Sequence, residues 1–277
     1  MKKAITLLLL FFIFTSFSQK KSPLSIGETV TLESKILSEK RLLNIYLPDT
    51  YNQESIDYPV IYLLDGSTNE DFLHIAGLVQ FFNLQFKMPK CIVVGIANVD
   101  RKRDFTHHTD LKDLKTKFPT TGKSNDFINF IEQELQPYIE SNYKVSDKKY
   151  LIGQSLGGLL GTEILLKKSY LFSNYIIVSP SLWWDNASLL TLSSLLLEEN
   201  FKQKTDIYIG VGKEGLAPSD IPHVMEVDAN LLVEKIKATK SKNVTVHFDY
   251  LPQEDHATVT HQAIFNAFRL LYPVPKK

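Results

Sequence analysis

Residues 150–158 read Tyr-Leu-Ile-Gly-Gln-Ser-Leu-Gly-Gly, and an apolar run of helical character, Leu159–Leu166, follows them. The first three residues are typical of a buried strand, and residues 153–157 match the pattern Gly-x-Ser-x-Gly. Strand, sharp turn and helix form the setting in which this pattern exposes a serine hydroxyl at a strained turn. Glycines on both sides of the serine leave room for neighbouring backbone. The segment therefore predicts that Ser155 is a nucleophile.

Apolar runs that predict strands alternate with helical segments on both sides of this stretch. The predicted strands are Arg41–Leu47, Pro59–Leu64, Cys91–Ala97, Tyr150–Gly153, Tyr175–Val178, Asp206–Val211 and Val244–Leu251. The predicted helices with a clear apolar stripe are Asn125–Glu140, Val224–Thr239 and Thr258–Leu271. Several strands lack polar alternation, as expected for strands buried on both faces. The pattern predicts an α/β fold with a mainly parallel central sheet and helices on both faces.

The polar segment Asp100–Lys123 has no convincing period. In α/β proteins such segments commonly lie over the carboxyl ends of the strands, where ligands bind. We therefore interpret it as a rim or lid of the pocket, with a solvated loop as the alternative.

The general base is sought late in the chain, because the order in this kind of site is Ser, then Asp or Glu, then His. His256 lies in a polar loop between the strand Val244–Leu251 and the last predicted helix. That loop position directs it to the same end of the sheet as Ser155. His261 is the alternative, but it lies within the helical pattern, and His247 lies within the strand.

The acid is expected after a late strand and before the histidine. Glu214 follows the strand-like run Ile207–Val211 and is our choice. Its role would be to hold the histidine tautomer and to stabilise the imidazolium. The acidic rivals are Asp220, Glu226 and Asp228, with Asp185 more distant. A Ser–His pair without an acid remains a further alternative.

Acyl transfer needs two backbone N–H groups directed at the tetrahedral oxygen. Leu156, directly after the nucleophile, is expected to supply one of them. Ser67 is expected to supply the other, because it follows Gly66 in the turn after the strand Pro59–Leu64.

In combination, these motifs resemble the putative-esterase family of α/β-hydrolases, over about residue 30 to residue 272. The family includes enterobactin-type siderophore esterases, feruloyl and acetyl esterases, S-formylglutathione hydrolases and mycolyltransferases. The segments that carry the resemblance are Tyr58–Gly66, Asn98–Thr106, Gly153–Gly158, Ser179–Trp184 and Asp255-His256. The resemblance implies an α/β-hydrolase fold, a Ser155–Glu214–His256 triad and oxyanion donors at Ser67 and Leu156.

Three further residues are expected at the substrate pocket. Trp183 and Trp184 follow a strand, and such aromatic residues suit an acyl or aromatic pocket, with ordinary packing as the alternative. Arg103 either contacts an anionic substrate in the pocket or pairs with Asp104 to shape its loop.

The first residues have the three-part layout of a secretory signal peptide. Lys2 and Lys3 precede the apolar run Ala4–Phe14, and small and polar residues continue to Ser18. The run is shorter than the ~20 residues that span a bilayer, so a cleaved signal is favoured over an anchor. We predict a signal peptide at residues 1–18 and a periplasmic or extracellular protein.

The mature chain, residues 19–277, is predicted to be a single esterase domain. Lys plus Arg and Asp plus Glu number 31 each, so no overall field favours nucleic acid. Cys91 is the one cysteine and is expected in the core. No metal-binding His pattern or nucleotide loop is present, so no cofactor is expected.

The sequence thus predicts an exported serine hydrolase that cleaves a small-molecule carboxylic ester through an acyl-enzyme. Acyl transfer to an alcohol other than water, and a catalytically silent binding domain, are the alternatives.

Overall fold

The computed structural model describes residues 20–53 and 55–273. The predicted signal peptide, residues 1–18, lies outside the described residues. Among the described residues, no helix is both long and apolar enough to span a membrane.

The described residues form an eight-stranded sheet. Its strands are β1 (Gly27–Ser34), β2 (Glu39–Tyr46), β3 (Tyr58–Leu63), β4 (Ile92–Ile96), β5 (Val145–Gln154), β6 (Asn174–Val178), β7 (Thr205–Gly212) and β8 (Val244–Leu251). Their order across the sheet is β1-β2-β4-β3-β5-β6-β7-β8. Strands β3 to β8 are mutually parallel, whereas β2 pairs antiparallel with both β1 and β4. The predicted mainly parallel sheet is confirmed.

Helices cover both faces of this sheet. They are α1 (Phe72–Gln85), α2 (Arg101–Phe105), α3 (Lys112–Lys117), α4 (Ser124–Phe130), α5 (Gln136–Asn142), α6 (Leu156–Lys167), α7 (Met225–Lys237) and α8 (Val259–Leu271). A π-helical turn, Ile131–Leu135, joins α4 to α5. One apolar core lies beneath α4 to α7, and a second lies on the opposite face beneath α1 and α8. The sheet is therefore buried on both sides, as its continuous apolar strands require.

Four elements were not predicted from the sequence: β1, α1, α2 and α3. Strand β1 lies at the sheet edge, and most of its side chains are partly or fully exposed. An edge strand of this kind has a polar sequence and lacks the apolar run by which the central strands are found.

The segment Asp100–Lys123 contains α2 and α3 and borders the loop that follows β7. Lys117 donates to Asp220 of that loop at 2.6 Å. The ring of Phe118 packs against Trp183 and Trp184, with centroids 6.2 and 5.7 Å apart. Through these contacts the segment packs against Trp183 and the loop after β7, and its interpretation as a rim of the pocket stays a prediction.

Candidate active site

Ser155 occupies the turn between β5 and α6 in a strained conformation, with φ 59° and ψ −118°. Two of the glycines around it, Gly153 and Gly158, are required sterically. A Cβ atom on Gly153 would lie 2.5 Å from the carbonyl oxygen of Gly157. A Cβ atom on Gly158 would lie 2.9 Å from Cα of Pro180. The close packing of the turn against its own helix and against Pro180, which follows β6, therefore explains Gly153 and Gly158.

The structure brings Ser155, His256 and Glu214 together in one hydrogen-bonded chain. Oγ of Ser155 lies 3.0 Å from Nε2 of His256. On the other side of the ring, Nδ1 lies 2.6 Å from Oε2 of Glu214. The Glu214 side chain is only 3% exposed, whereas that of His256 is 45% exposed. A buried carboxylate and an accessible imidazole beside a serine hydroxyl have the geometry required for nucleophilic catalysis.

Two residues that sequence reasoning missed, or read differently, hold Glu214 in place. The Ser179 hydroxyl donates to Oε1 of Glu214. The carboxylate of Glu226 accepts from the backbone N–H groups of Glu214, at 2.8 Å, and Gly215, at 3.0 Å. Glu226, considered as a rival acid, instead fixes the turn that presents Glu214. In the sequence, Ser179 stands out only as part of Ser179–Trp184, a segment that carries the family resemblance.

The remaining rival acids have other partners. Asp220 accepts from Lys117, and Asp185 accepts from Thr109 at 2.7 Å. Asp228 lies 3.0 Å from Nδ1 of His223, and burial raises the pKa of its carboxyl group. The structure therefore favours Glu214 over these acids as the partner of His256.

The other late histidines lie elsewhere. His261 is on α8, with its Nδ1 3.1 Å from Nδ1 of His74, and burial lowers its pKa. His247 lies within β8, in register with Tyr208 of β7. Neither histidine forms a hydrogen bond with Ser155. His256 does so because it lies in the loop that precedes α8.

Gln154, the variable residue before the nucleophile, joins two parts of the site. Its side-chain amide donates to the backbone carbonyl of His256 at 3.0 Å. Its own backbone carbonyl accepts from Arg101 at 3.1 Å. Nothing in the motif marked this residue, because the contacts are made with loops that are distant in sequence.

The two expected oxyanion donors differ in their surroundings. Leu156 is the first residue of α6, where a backbone N–H has no acceptor within the helix. The N–H of Ser67 instead donates to the carboxylate of Glu70 at 3.3 Å. A ligand oxygen would therefore compete with Glu70 for the Ser67 donor.

A cavity of about 220 Å³ opens beside the serine. Its lining residues are Ser155, Ser181, Trp183, Glu214, Leu216, Ala217, Pro218, Met225 and His256. Trp183 forms part of the wall, as expected. Trp184 does not line the cavity. It is buried, and its indole N–H donates to the carbonyl of His107 at 2.9 Å, which corrects its assignment to the pocket.

Arg103 is also absent from the cavity wall, so its assignment to the substrate pocket is corrected. Its guanidinium donates to Asp104 at 2.7 Å and to both carboxylate oxygens of Glu39, at 2.7 and 3.0 Å. The hydrogen bonds with Asp104 and then Glu39 raise the pKa of Arg103. The alternative interpretation, in which Arg103 shapes its loop, agrees with these contacts.

Within residues 20–53 and 55–273, no group of three or more His, Cys, Asp and Glu side chains has the geometry of a metal site.

This chain is similar in sequence to known esterases. The family model described as "Putative esterase" matches residues 34–264. Ferri-bacillibactin esterase BesA of Bacillus subtilis (strain 168) is 28% identical over 247 residues, which cover 78% of this chain and 80% of the relative. The family model and the relative each match more than three quarters of this chain.

Two solved structures show how far the likeness extends. An IroE-like serine hydrolase from Shewanella oneidensis is 34% identical, with a TM-score of 0.76 over 89% of this chain and 80% of the other. Siderophore hydrolase EstB from Aspergillus nidulans, at 21% identity, has a TM-score of 0.73 over 93% of this chain and 100% of the other. The second likeness concerns the fold alone. The expected α/β-hydrolase fold is confirmed.

Proposed function

The chain belongs to the putative esterase family and is a carboxylic ester hydrolase, and from that premise we propose that Ser155 carries the reaction through an acyl-enzyme. The observation that carries the proposal is the continuous chain from Oγ of Ser155 through His256 to Glu214, with spacings of 3.0 and 2.6 Å. Both spacings are within hydrogen-bond reach, which proton transfer to and from the serine requires.

In the proposed mechanism, His256 accepts the proton of Ser155 as Oγ attacks the ester carbonyl carbon. The imidazolium that forms is stabilised by the carboxylate of Glu214. Collapse of the tetrahedral intermediate breaks the bond to the alcohol oxygen, which takes the proton from His256. A water molecule, deprotonated by the same imidazole, then attacks the acyl-enzyme and releases the acid and Ser155.

We propose that the N–H groups of Leu156 and Ser67 bind the oxyanion. Charge builds up on the carbonyl oxygen only in the transition state, so such donors increase the rate more than they increase substrate affinity. In this mechanism the oxyanion displaces the Glu70 carboxylate from the Ser67 donor.

The cavity limits the acyl group that reaches Ser155. An apolar cavity of ~150 Å³ in another protein accommodates benzene, so about 220 Å³ is enough for one substituted aromatic ring or a short aliphatic chain. Trp183, Leu216 and Met225 make its wall largely apolar. We therefore expect a compact, uncharged acyl group.

The relatives suggest a class of substrate. BesA is named as a ferri-bacillibactin esterase, and another relative is named as a siderophore enterobactin esterase from Emericella nidulans. We propose that this chain hydrolyses a small-molecule ester of the siderophore type.

The test is a panel of chromogenic acyl esters, feruloyl esters and catecholate siderophore esters, with detection of the free acid. Ser155→Ala should lower the turnover rate by at least about 10³-fold without loss of folded structure, because the hydroxyl contributes little packing. Ser146→Ala, at the opposite end of β5, is the matched control and should remain active. Retention of more than about a tenth of the activity by Ser155→Ala would contradict the proposal.

We further propose that residues 1–18 are removed on export and that residues 19–277 form one catalytic domain. Mass spectrometry of the protein from the periplasm or culture medium of the source cells should detect an N-terminus close to residue 19. An exported protein that still begins at Met1 would contradict cleavage.

A further inference from the structure

The side chain of Arg101 connects two loops of the active site. Its Nε donates to Oδ1 of Asp65 at 2.6 Å, and its Nη2 donates to Oδ2 at 2.8 Å. The same Nη2 donates to the backbone carbonyl of Gln154 at 3.1 Å. The planar guanidinium is suited to this arrangement, because its donors have a fixed relative geometry.

The two partners of Arg101 precede the two proposed oxyanion donors. Asp65 comes two residues before Ser67, and Gln154 comes two residues before Leu156. Asp65 has a φ of 54°, in the left-handed region, so the turn needs support from its surroundings. One guanidinium thus joins the turn after β3 to the end of β5, directly before Ser155.

Arg101 and Asp65 also balance each other's charge. The aspartate is buried, and its other side-chain hydrogen bond comes from Nδ2 of Asn98 at 2.6 Å. Burial alone would lower the pKa of Arg101, but the hydrogen bond and charge of Asp65 outweigh it and raise the pKa. Arg101 therefore stays charged and compensates a carboxylate that has little access to water.

We propose that Arg101 is a positioning residue that sets the spacing between the Ser67 and Leu156 donors of the oxyanion hole. This inference rests on the proposed function, because it concerns the geometry of the same hole. Arg101 acts through Asp65 and Gln154 and not on the reacting atoms themselves.

Loss of Arg101 is expected to lower kcat by about 10²-fold, because a misplacement of about 1 Å has this effect on a preorganised site. Deletion of a complete donor would lower kcat by about 10²- to 10³-fold. The value of KM should change little, because the donors act mainly on the transition state. Arg101→Lys should show an intermediate loss, since one ammonium cannot reproduce the bidentate pair and the bond to Gln154 together.

The matched control is Arg103, two residues along α2, which also pairs with buried or half-buried carboxylates but joins no active-site turns. Arg101→Gln, Arg101→Lys and Arg103→Gln are compared for kcat, KM and melting temperature. Two affinities are also measured for each variant. One is for a phenylboronic acid, which forms a tetrahedral adduct with the serine, and the other is for a product acid, which forms no such adduct.

The proposal predicts that the Arg101 variants lose boronate affinity in parallel with kcat/KM and keep affinity for the product acid. A role in stability alone would lower the melting temperature and leave kcat per folded molecule unchanged. Should folded Arg101→Lys and Arg101→Gln both retain more than about half of wild-type kcat, or should Arg103→Gln lose as much as they do, the inference is overturned. Wild-type protein that is inactive on every ester would instead refute the proposed function.

Discussion

Replacement of Glu214 by glutamine preserves the shape of the side chain and removes the negative charge beside His256. The carboxylate lies 2.6 Å from Nδ1 and is almost fully buried, so little water would take its place. The glutamine amide also allows an NH₂ group to face the ring, which stabilises the wrong tautomer for proton acceptance from Ser155. The change therefore affects both the charge and the orientation of the proposed base.

The size of the effect follows from the distance between the charges. A carboxylate and an imidazolium whose charge centres are about 4 Å apart interact by roughly 4 kcal/mol at an effective dielectric constant of ~20. That energy corresponds to about 10³-fold in rate. Because His256 is half-exposed, water can solvate part of the imidazolium charge, whereas the wrong tautomer would add to the loss. We expect kcat to fall by roughly 10²- to 10⁴-fold with little change in KM.

The assay is steady-state hydrolysis of a chromogenic short-chain ester by the folded variant. Asp220→Asn, Glu226→Gln and Asp228→Asn are matched controls in the same region, and each should lose less than about tenfold. Glu226→Gln retains an oxygen that can accept from the turn at Glu214, which makes it the most stringent control. Near-normal activity of Glu214→Gln would refute the reasoning and leave a Ser–His pair.

Three further predictions concern other parts of the molecule. His256→Ala should abolish most ester hydrolysis, whereas His261→Ala, measured in the same assay, should not, because that ring faces His74. Trp183→Leu should raise the ratio of kcat/KM for long acyl chains over short ones by about tenfold, because it widens the cavity; an unchanged ratio would refute Trp183 as a wall. Burial raises the pKa of Cys91 to about 12, so the folded thiol holds its proton while the unfolded thiol loses it above ~8.5. The free energy of unfolding, measured with urea, should therefore decline as the pH rises from about 8.5 to about 12. Cys91→Ala should lack this part of the decline. An equal pH dependence of the two proteins would contradict the prediction.

The nucleophile and the base were accessible to sequence reasoning because their signals are local. Ser155 lies in a pattern in which Gly153 and Gly158 are each required by a close backbone approach, and the pattern is visible in the chain itself. His256 lies in a polar loop immediately before a clearly amphipathic helix. The roles of both residues remain predictions, but their proximity in space follows from chain order and the parallel sheet.

The acid was harder to choose because its rivals share a short segment. Residues 214, 220, 226 and 228 are all acidic and lie between β7 and the first turns of α7. Only the folded turn shows which of them is the partner of the histidine. The carboxylate of Glu226 accepts from backbone N–H groups, whereas that of Glu214 contacts His256. Such a difference depends on a few dihedral angles and leaves no trace in composition or periodicity.

Arg103 was misassigned for a similar reason, because its partner is distant in the sequence. Arg103 was placed at the pocket because it lies in a loop that carries the family resemblance, but its partner Glu39 lies 64 residues earlier. Arg41 shares Glu39 and Asp104 with it, and Arg41 and Asp104 are fully buried. Two cations and two anions thus balance within the fold, away from the cavity.

That balance bears on the substrate. A buried carboxylate such as Asp104 or Asp65 is stable only beside a cation, so Arg41, Arg103 and Arg101 are committed to structural carboxylates. Of the residues that line the cavity beside Ser155, the ionisable side chains are those of Glu214 and His256, which bind each other. An anionic acyl group would therefore meet a buried carboxylate and no compensating lysine or arginine among these lining residues. The desolvation of such a group would be uncompensated, and an uncharged acyl group should be preferred at the serine.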